Sequence, residues 1–208
     1  LILPKVRCGE NFCSLGNKFN KFSSIFLCNS KTLLPSKNSN LKFNNSNTKG
    51  SFYNKRYELF KFLLDSENLN EEINYLEFGV AEGNSFKWWL ENNKNPRSKF
   101  IGFDSFIGLP EDFGPLKKGY FSTSIPDFSD NRAMIVVGLF QNTLDNFINT
   151  FPLNYKNVIH LDADLYSSTL FVLTTLAPKL KKGDILIFDE FGVAAHEFRA
   201  FIDFLSIY

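Results

Sequence analysis

Residues 75–85 read YLEFGVAEGNS, and this stretch decides the fold. An apolar run ends at a turn that contains Gly79 and Gly83, and the polar residues Asn84 and Ser85 can then cap a helix. The pattern predicts a buried strand, a tight turn that allows close backbone approach, and the start of a helix. A plain strand–turn–helix unit without a ligand fits the two glycines equally well.

Apolar runs and helical stretches alternate along the rest of the chain. The predicted strands cover residues 74–80, 99–104, 133–137, 158–162 and 184–189. A first helix is predicted from about residue 53 to 66, and further helices over 85–92, 143–150, 168–180 and 195–207. Near-continuous apolar runs are typical of strands buried on both faces of a parallel sheet. We therefore predict an α/β fold with a Rossmann-like, doubly wound, mostly parallel sheet, which binds ligands at the carboxyl ends of its strands.

The first 50 residues differ in composition from the rest. They are rich in Asn, Ser and Lys and hold eight Lys or Arg against one acid, Glu10, whereas the remainder holds 15 bases and 21 acids. This composition predicts a mostly disordered basic leader on a cytoplasmic protein, with an organelle transit peptide as the functional alternative. All three cysteines lie in this leader, so no disulfide is expected to stabilise residues 51–208, which we predict to form one domain.

The composition also limits the partners. A mildly acidic folded part lacks the basic face of a nucleic-acid-binding protein. Lys, Asp or Asn interrupts each apolar run before the ~20 residues that a membrane-spanning helix needs. We expect a small-molecule substrate, no nucleic acid and no membrane, and the sequence leaves a homo-oligomer open.

Acidic residues in the first loop indicate what kind of cofactor it binds. The loop lacks the middle glycine of a dinucleotide-binding loop and carries Glu77 and Glu82, which would repel a pyrophosphate. S-adenosylmethionine has no phosphate, and its sulfonium and ammonium groups are positive, so the acids favour this cofactor over NAD. Gly79 and Gly83 are predicted cofactor-binding residues, because glycine allows close backbone approach. Asp104 ends the second predicted strand, 21 residues after Gly83, where an acid can accept both ribose hydroxyls.

Three further acids follow the fourth and fifth predicted strands. Asp162 closes the first of these strands, and Asp189 and Glu190 close the second. If the strands are neighbours, their ends lie ~4.8 Å apart and the three carboxylates converge. Such a cluster is stable when it is protonated or bound to a cation, and Mg²⁺ prefers oxygen ligands. A bound cation would lower the pKa of a substrate hydroxyl and orient it for attack on a methyl group.

Three other residues near these strand ends have more than one interpretation. Asp164 fits a fourth metal ligand, a general base or a helix cap. His160 is expected to be packed and hydrogen-bonded in the core rather than catalytic. His196 lies just past the fifth predicted strand and is a candidate base.

Taken together, these motifs resemble the macrocin O-methyltransferase family of class I S-adenosylmethionine-dependent methyltransferases. The matching stretches are LEFGV at 76–80, DSF at 104–106 with GLPE at 108–111, GLF at 138–140, DADLY at 162–166 with ST at 168–169, and DE at 189–190. The resemblance implies cofactor contacts from Glu77, Gly79, Ser85, Asp104 and the backbone around Leu139 and Phe140. It also implies Mg²⁺ held by Asp162, Asp189 and Glu190, and a sugar or other small hydroxylated substrate.

The chain departs from the family pattern in two places. The family usually has a second Asp where this chain has Glu190, and the antiparallel hairpin that normally ends the sheet is not expected within the 208 residues. We therefore predict a C-terminally truncated methyltransferase domain. Two alternatives are an NAD- or nucleotide-sugar-linked Rossmann enzyme and an inactive methyltransferase fragment. Residues 111–130 form a long connection between the second and third strands, which is typical of a lid over the substrate.

Overall fold

The computed structural model describes residues 24–27, 52–191 and 194–207, which form a parallel sheet with helices on both faces. The strands are β1 (Ser24–Leu27), β2 (Ile73–Phe78), β3 (Lys99–Asp104), β4 (Ala133–Val137), β5 (Lys156–Leu161) and β6 (Ile185–Phe188). The helices are α1 (Phe52–Ser66), α2 (Asn84–Asn92), α3 (Phe140–Thr150), α4 (Tyr166–Leu176) and α5 (Glu197–Ile207). Every helix in these described residues is too short or too polar to cross a lipid bilayer.

The strand order places one topological switch point at the centre of the sheet. The order is β1-β6-β5-β2-β3-β4, so the chain runs outward from β2 through β3 to β4 and then returns to the other side of β2. In the register of the central strands, Phe78 lies beside Leu161, and Leu161 lies beside Phe188. Their carboxyl ends are therefore level, and the loops that follow β2, β5 and β6 begin side by side.

These features confirm the predicted doubly wound α/β fold. The bounds of β3 and β4 agree with the prediction, and those of β2, β5 and β6 differ from it by one or two residues. Strand β2 was predicted to reach residue 80 and ends at Phe78 instead, because Gly79 has a φ of +95° and turns the chain away from the extended conformation.

Strand β1 lies within the segment that we predicted to be a disordered leader. It pairs in parallel with β6, with Ser24 beside Ile185 and Leu27 beside Phe188. The sequence gives no separate signal for it, because four apolar-rich residues between polar stretches are too short for a reliable pattern. The remaining residues of the predicted leader, including all three cysteines, lie outside the described residues.

Two aromatic-rich layers hold the sheet between the helices. Leu76 and Phe78 of β2 point toward α3, α4 and α5, whereas Ile73 and Tyr75 point toward α1 and α2. Trp89 of α2 is fully buried and stacks on Tyr75 with ring centroids 5.1 Å apart. Burying each such side chain contributes ~2–3 kcal/mol. This packing fixes α1 and α2 against the same face of the sheet as Ile73 and Tyr75.

Candidate active site

A cleft of about 760 Å³ opens at the carboxyl ends of the strands, beside the switch point between β2 and β5. This is the position at which doubly wound sheets bind their ligands, and the volume suits a cofactor together with a small substrate. The described residues that line the cleft include seven acids and one base, Arg56. The acids are Glu77, Glu82, Asp104, Asp162, Asp164, Asp189 and Glu190.

The loop after β2 touches the loop after β5 through Gly79. A Cβ atom on this residue would lie 1.9 Å from the backbone carbonyl oxygen of Asp162, a distance that no side chain can occupy. Gly79 also needs its positive φ, and its N–H donates to the carbonyl of Phe103 at 2.9 Å. The glycine therefore allows the loop after β2 and the loop after β5 to pack directly together.

Gly83 has a structural role that the sequence does not distinguish from cofactor binding. It has a φ of +80°, stands just before α2, and is not among the residues that line the cleft. A Cβ atom there would lie 2.7 Å from the ring of Phe128, because the long connection packs against this turn. The structure therefore assigns Gly83 to the turn and places the other predicted cofactor residues at the cleft.

Asp104 holds the loop after β2 with its carboxylate. Its Oδ2 accepts the N–H groups of Val80 and Ala81 at 2.8 Å each, and its Oδ1 accepts the N–H of Phe106 at 2.8 Å. A carboxylate has about four acceptor sites, so these three bonds leave one on Oδ1. The sequence predicted that Asp104 accepts two ribose hydroxyls, and this geometry leaves room for one.

Glu77 forms the floor of the cleft and is fixed by a buried hydrogen-bond chain. Its side chain is 1 % exposed, and its Oε2 accepts the Tyr75 hydroxyl at 2.5 Å. The Tyr75 oxygen also lies 3.0 Å from Nδ1 of His160. Because the phenol donates its single proton to Glu77, the imidazole must donate to the phenol oxygen. His160 is thus packed and hydrogen-bonded, as the sequence predicts.

The remaining predicted cofactor residues also line the cleft. Leu139 and Phe140 follow β4, and Phe140 packs edge-on against Phe78 with ring centroids 5.4 Å apart. Ser85 stands in the first turn of α2, and its Oγ accepts a hydrogen bond from Arg56 at 3.1 Å. Six of the seven predicted cofactor residues therefore surround one space.

Asp162 and Asp189 come together at the ends of β5 and β6. The N–H of Asp162 donates to Phe78, and the N–H of Asp189 donates to Leu161, so both residues continue the strand pairing. Arg56 of α1 pairs with both carboxylates: its Nη2 lies 2.5 Å from Oδ2 of Asp189, and its Nη1 lies 3.6 Å from Oδ2 of Asp162. The sequence did not predict Arg56 as a site residue.

The proximity of these acids changes their acidity. Burial and the neighbouring Asp189 raise the pKa of Asp162 well above its usual value, although Arg56 acts in the opposite direction. Burial, and then the charge of Glu190, raise the pKa of Asp164 to about 7. Burial and Asp189 likewise raise the pKa of Glu190. The cluster therefore favours protons or cations, as expected for crowded carboxylates.

Glu197 is a second residue that the sequence did not predict. It begins α5, where an acid is ordinary because of the helix dipole, yet its side chain is fully buried. Its Oε2 accepts the N–H of Glu190 at 2.8 Å, which fixes the turn after β6. Burial and the charge of Asp189 raise the pKa of Glu197 well above its usual value. This carboxyl supports the turn that carries two of the predicted metal ligands.

The acids at these strand ends fit a divalent cation. Oδ1 of Asp189 is buried without a hydrogen-bond partner in the described part of the chain, and so is Nε2 of His160. His160, Asp162 and Asp189 can each offer a ligand atom within 4.8 Å of the others. Glu190, the predicted third ligand, lines the cleft but does not belong to this group.

The long connection between β3 and β4 reaches over the cleft. Phe121, Ser122 and Thr123 line it. Earlier in the connection, Glu111 accepts a hydrogen bond from the Ser167 hydroxyl at 2.8 Å. This segment therefore reaches from the cleft to the start of α4, and its role as a lid stays a prediction.

His196 and Asp164, the two candidate bases, occupy different places. The ring of His196 packs edge-on against Phe113, with centroids 4.6 Å apart, and this histidine is not among the residues that line the cleft. Asp164 lines the cleft and has a φ of +58°, a strained conformation for a residue with a side chain. Of the two, only Asp164 can reach a ligand in the cleft as the residues stand.

A family described as a methyltransferase domain matches residues 76–191, which is more than half of the chain. This chain belongs to that family. The match confirms the predicted relationship to class I S-adenosylmethionine-dependent methyltransferases.

One curated protein and two solved structures are similar to this chain. The chain is 34% identical over 83 residues to demethyldecarbamoylnovobiocin O-methyltransferase of Streptomyces niveus, a match that covers 37% of this chain and 30% of that protein. In fold it resembles CalS11, a calicheamicin methyltransferase, with a TM-score of 0.56 and 23% identity over 72% of this chain and 68% of that one. A second CalS11 structure, described as a TDP-rhamnose 3'-O-methyltransferase, gives a TM-score of 0.51 and 22% identity, covering 73% and 71%.

Proposed function

We propose that this chain is an S-adenosylmethionine-dependent O-methyltransferase that uses a divalent cation, with Mg²⁺ as the first candidate. The observation that carries the proposal is a cleft at the switch point whose described lining holds seven acids and one base. Family membership and the O-methyltransferase relative support the same reaction.

The charge of the cleft supports the cofactor. S-adenosylmethionine brings a sulfonium and an ammonium group, both positive, and the acids Glu77, Asp104 and Asp162 line the cleft around the Gly79 turn. The competing proposal, an NAD- or nucleotide-sugar-linked enzyme, would place a pyrophosphate against these acids. A phosphate site needs bare amides or bases, and the described lining supplies one arginine that is already paired with two acids.

The carboxylate pair supports the cation. Asp162 and Asp189 would hold it, with His160 or Glu190 as a third ligand, and the buried Oδ1 of Asp189 is without a protein partner among the described residues. A bound cation would lower the pKa of an acceptor hydroxyl at neutral pH. The chain's own contribution is to bring the two ligands level at neighbouring strand ends.

Asp164 is the residue that we assign as general base. In the reaction, the acceptor oxygen forms a bond to the methyl carbon while the carbon–sulfur bond breaks, and the sulfur keeps the electron pair as a neutral thioether. The hydroxyl proton goes to Asp164, whose pKa of about 7 in the cation-free protein suits proton transfer near neutral pH. The strained backbone of this residue is typical of functional positions.

The acceptor is proposed by analogy with the relatives and by the lining of the lid. The named relatives include a TDP-rhamnose 3'-O-methyltransferase, so we propose a sugar or a similar hydroxylated compound. Phe121 offers an aromatic face beside the hydroxyls of Ser122 and Thr123, a combination that suits the apolar and polar faces of a sugar ring.

Isothermal titration calorimetry with S-adenosylhomocysteine and NAD tests the cofactor proposal. We expect the 208-residue chain to bind S-adenosylhomocysteine with micromolar affinity and to show no heat with NAD. The same titration with the Glu77→Gln variant should give at least tenfold weaker binding, because the buried acceptor loses its charge. Binding of NAD in preference to S-adenosylhomocysteine would overturn the proposal.

A further inference from the structure

Arg56 stands between the cofactor side and the carboxylate side of the cleft. Its Nη1 donates to Oγ of Ser85 at 3.1 Å and lies 3.6 Å from Asp162, while its Nη2 lies 2.5 Å from Asp189. Arg56 belongs to α1, which precedes the residues that match the family. One guanidinium therefore bridges two sites that the proposed function keeps separate.

On the Ser85 side of Arg56, where we propose that the cofactor binds, the cleft needs a positive charge. S-adenosylmethionine carries a carboxylate as well as its two positive groups, and an anion in a cleft with seven acids requires a cationic partner. Among the described residues that line the cleft, Arg56 is the one Lys or Arg. The adjoining Ser85 hydroxyl lies in the first turn of α2, where Gly83 provides no side-chain cap, so the positive end of the helix dipole points the same way.

The acid pair Asp162 and Asp189 needs the same positive charge when no cation is bound. Arg56 compensates the charges of Asp162 and Asp189, whose Oδ2 atoms lie 3.6 Å and 2.5 Å from its guanidinium nitrogens. A divalent cation on Asp162 and Asp189 would replace that compensation and would repel a guanidinium so close to it. Cation binding thus makes the Arg56 guanidinium available to another anion on the side where its Nη1 donates to Ser85.

We propose that Arg56 couples the two sites. Without a divalent cation it neutralises Asp162 and Asp189, and once the cation takes their place it binds the carboxylate of the cofactor. Because coupling between two ligands is reciprocal, the cation raises the affinity for the cofactor by the same factor as the cofactor raises the affinity for the cation. This inference rests on the proposed function.

Calorimetry on the 208-residue chain measures the coupling without any catalytic turnover. S-adenosylhomocysteine, which has the same carboxylate, is titrated with and without saturating MgCl₂, and MgCl₂ is titrated with and without S-adenosylhomocysteine. We expect each ligand to strengthen the other about tenfold, within the usual range for coupled sites. Equal affinities with and without the second ligand in the wild-type chain would overturn the proposal.

The Arg56→Gln variant locates the coupling. We expect it to bind Mg²⁺ more tightly than the wild type in the absence of cofactor, to bind S-adenosylhomocysteine more weakly, and to reduce the coupling factor to about one. Full coupling in this variant would contradict the proposal. Arg56→Lys keeps the charge and the fold but loses the forked geometry, so it should retain part of the coupling.

A matched control is available at the opposite end of the sheet. Arg97 lies in the turn before β3, is exposed and pairs with Glu72, so Arg97→Gln should leave both affinities and the coupling unchanged. Absence of S-adenosylhomocysteine binding in the wild type would refute the proposed cofactor, and the inference with it. Strong but Mg²⁺-independent binding would refute the role of Arg56 alone.

Discussion

The Cα atom of Gly79 packs against the backbone carbonyl of Asp162 so closely that an added Cβ atom would lie 1.9 Å from the carbonyl oxygen. This contact joins the proposed cofactor loop to the first proposed metal ligand. A change at one of them must therefore move the other, which links the stability of the fold to the geometry of the site.

The Gly79→Ala substitution tests this contact. Its positive φ costs ~1–2 kcal/mol for a residue with a side chain, and the clash with a fixed carbonyl adds a similar amount, so we expect a loss of about 3 kcal/mol or more in the free energy of unfolding. Binding of S-adenosylhomocysteine should fall at least tenfold. Urea denaturation and calorimetry measure the two effects.

Gly114→Ala is the control for that substitution. Gly114 also has a positive φ, of +54°, but a Cβ atom there would have no neighbour within 4 Å. The strain without the clash should cost ~1–2 kcal/mol. Equal destabilisation by the two substitutions would show that the contact between Gly79 and Asp162 relaxes without cost.

The acid pair Asp162 and Asp189 should determine cation binding. We expect Asp162→Asn and Asp189→Asn each to weaken Mg²⁺ binding by at least about 100-fold, because each removes a charged oxygen ligand. Methyl transfer should fall in parallel and should be lost when EDTA is added. Asp145→Asn, at an exposed position on α3, serves as the control. Methyl transfer that survives both EDTA and Asp162→Asn would make the acid pair structural.

Asp164 should determine the chemical step. We expect Asp164→Asn to lower kcat by about 10²–10⁴-fold, the usual contribution of a general base, with little change in the affinity for S-adenosylhomocysteine. His196→Asn should change kcat less than threefold, since His196 packs against Phe113 and does not line the cleft. A larger loss in the histidine variant would reverse the two assignments.

The stability of the cation-free protein should depend on pH in the neutral range. Folding raises the pKa of Asp164 from near 4 to about 7, so the protonated form favours the folded state. This contribution is complete below pH 4 and is lost as the pH rises through 7. The melting temperature should therefore fall between pH 5 and pH 8, and Mg²⁺ should restore it.

Asp164→Asn isolates this effect, because the amide does not titrate and the decline between pH 5 and pH 8 should become shallower. Asp112, Asp130 and Asp203 have lowered pKa values, so their contributions are lost only as the pH falls below 4 and do not alter this range. An identical pH profile in the variant and the wild type would contradict the assigned acidity.

The sheet could be predicted from the sequence because its signals are local. Buried parallel strands such as β3 are short apolar runs, and Gly79 marks the turn at which β2 ends. The site residues that follow strand ends, among them Asp104, Asp162 and Asp189, could be predicted for the same reason. The topology of a doubly wound sheet brings these positions to one edge.

Other site residues depend on tertiary contacts that no local pattern shows. Arg56 interrupts an ordinary amphipathic helix, and a charge there is typical of a solvent-exposed face, yet packing of α1 on the sheet places it between two acids. Glu197 has the sequence signature of an ordinary first-turn acid and is fully buried. Gly83 shares the residue type and the φ of a cofactor glycine, and only the position of Phe128 shows that its surroundings are already filled.

Transfer of a labelled methyl group from S-adenosylmethionine to sugar and phenol acceptors by the 208-residue chain is the most direct measurement of the central claim. We predict incorporation into a hydroxylated sugar acceptor that requires Mg²⁺ and becomes at least about 100-fold slower with Asp164→Asn. S-adenosylmethionine binding without transfer to any hydroxylated acceptor, with Mg²⁺ present, would contradict the account.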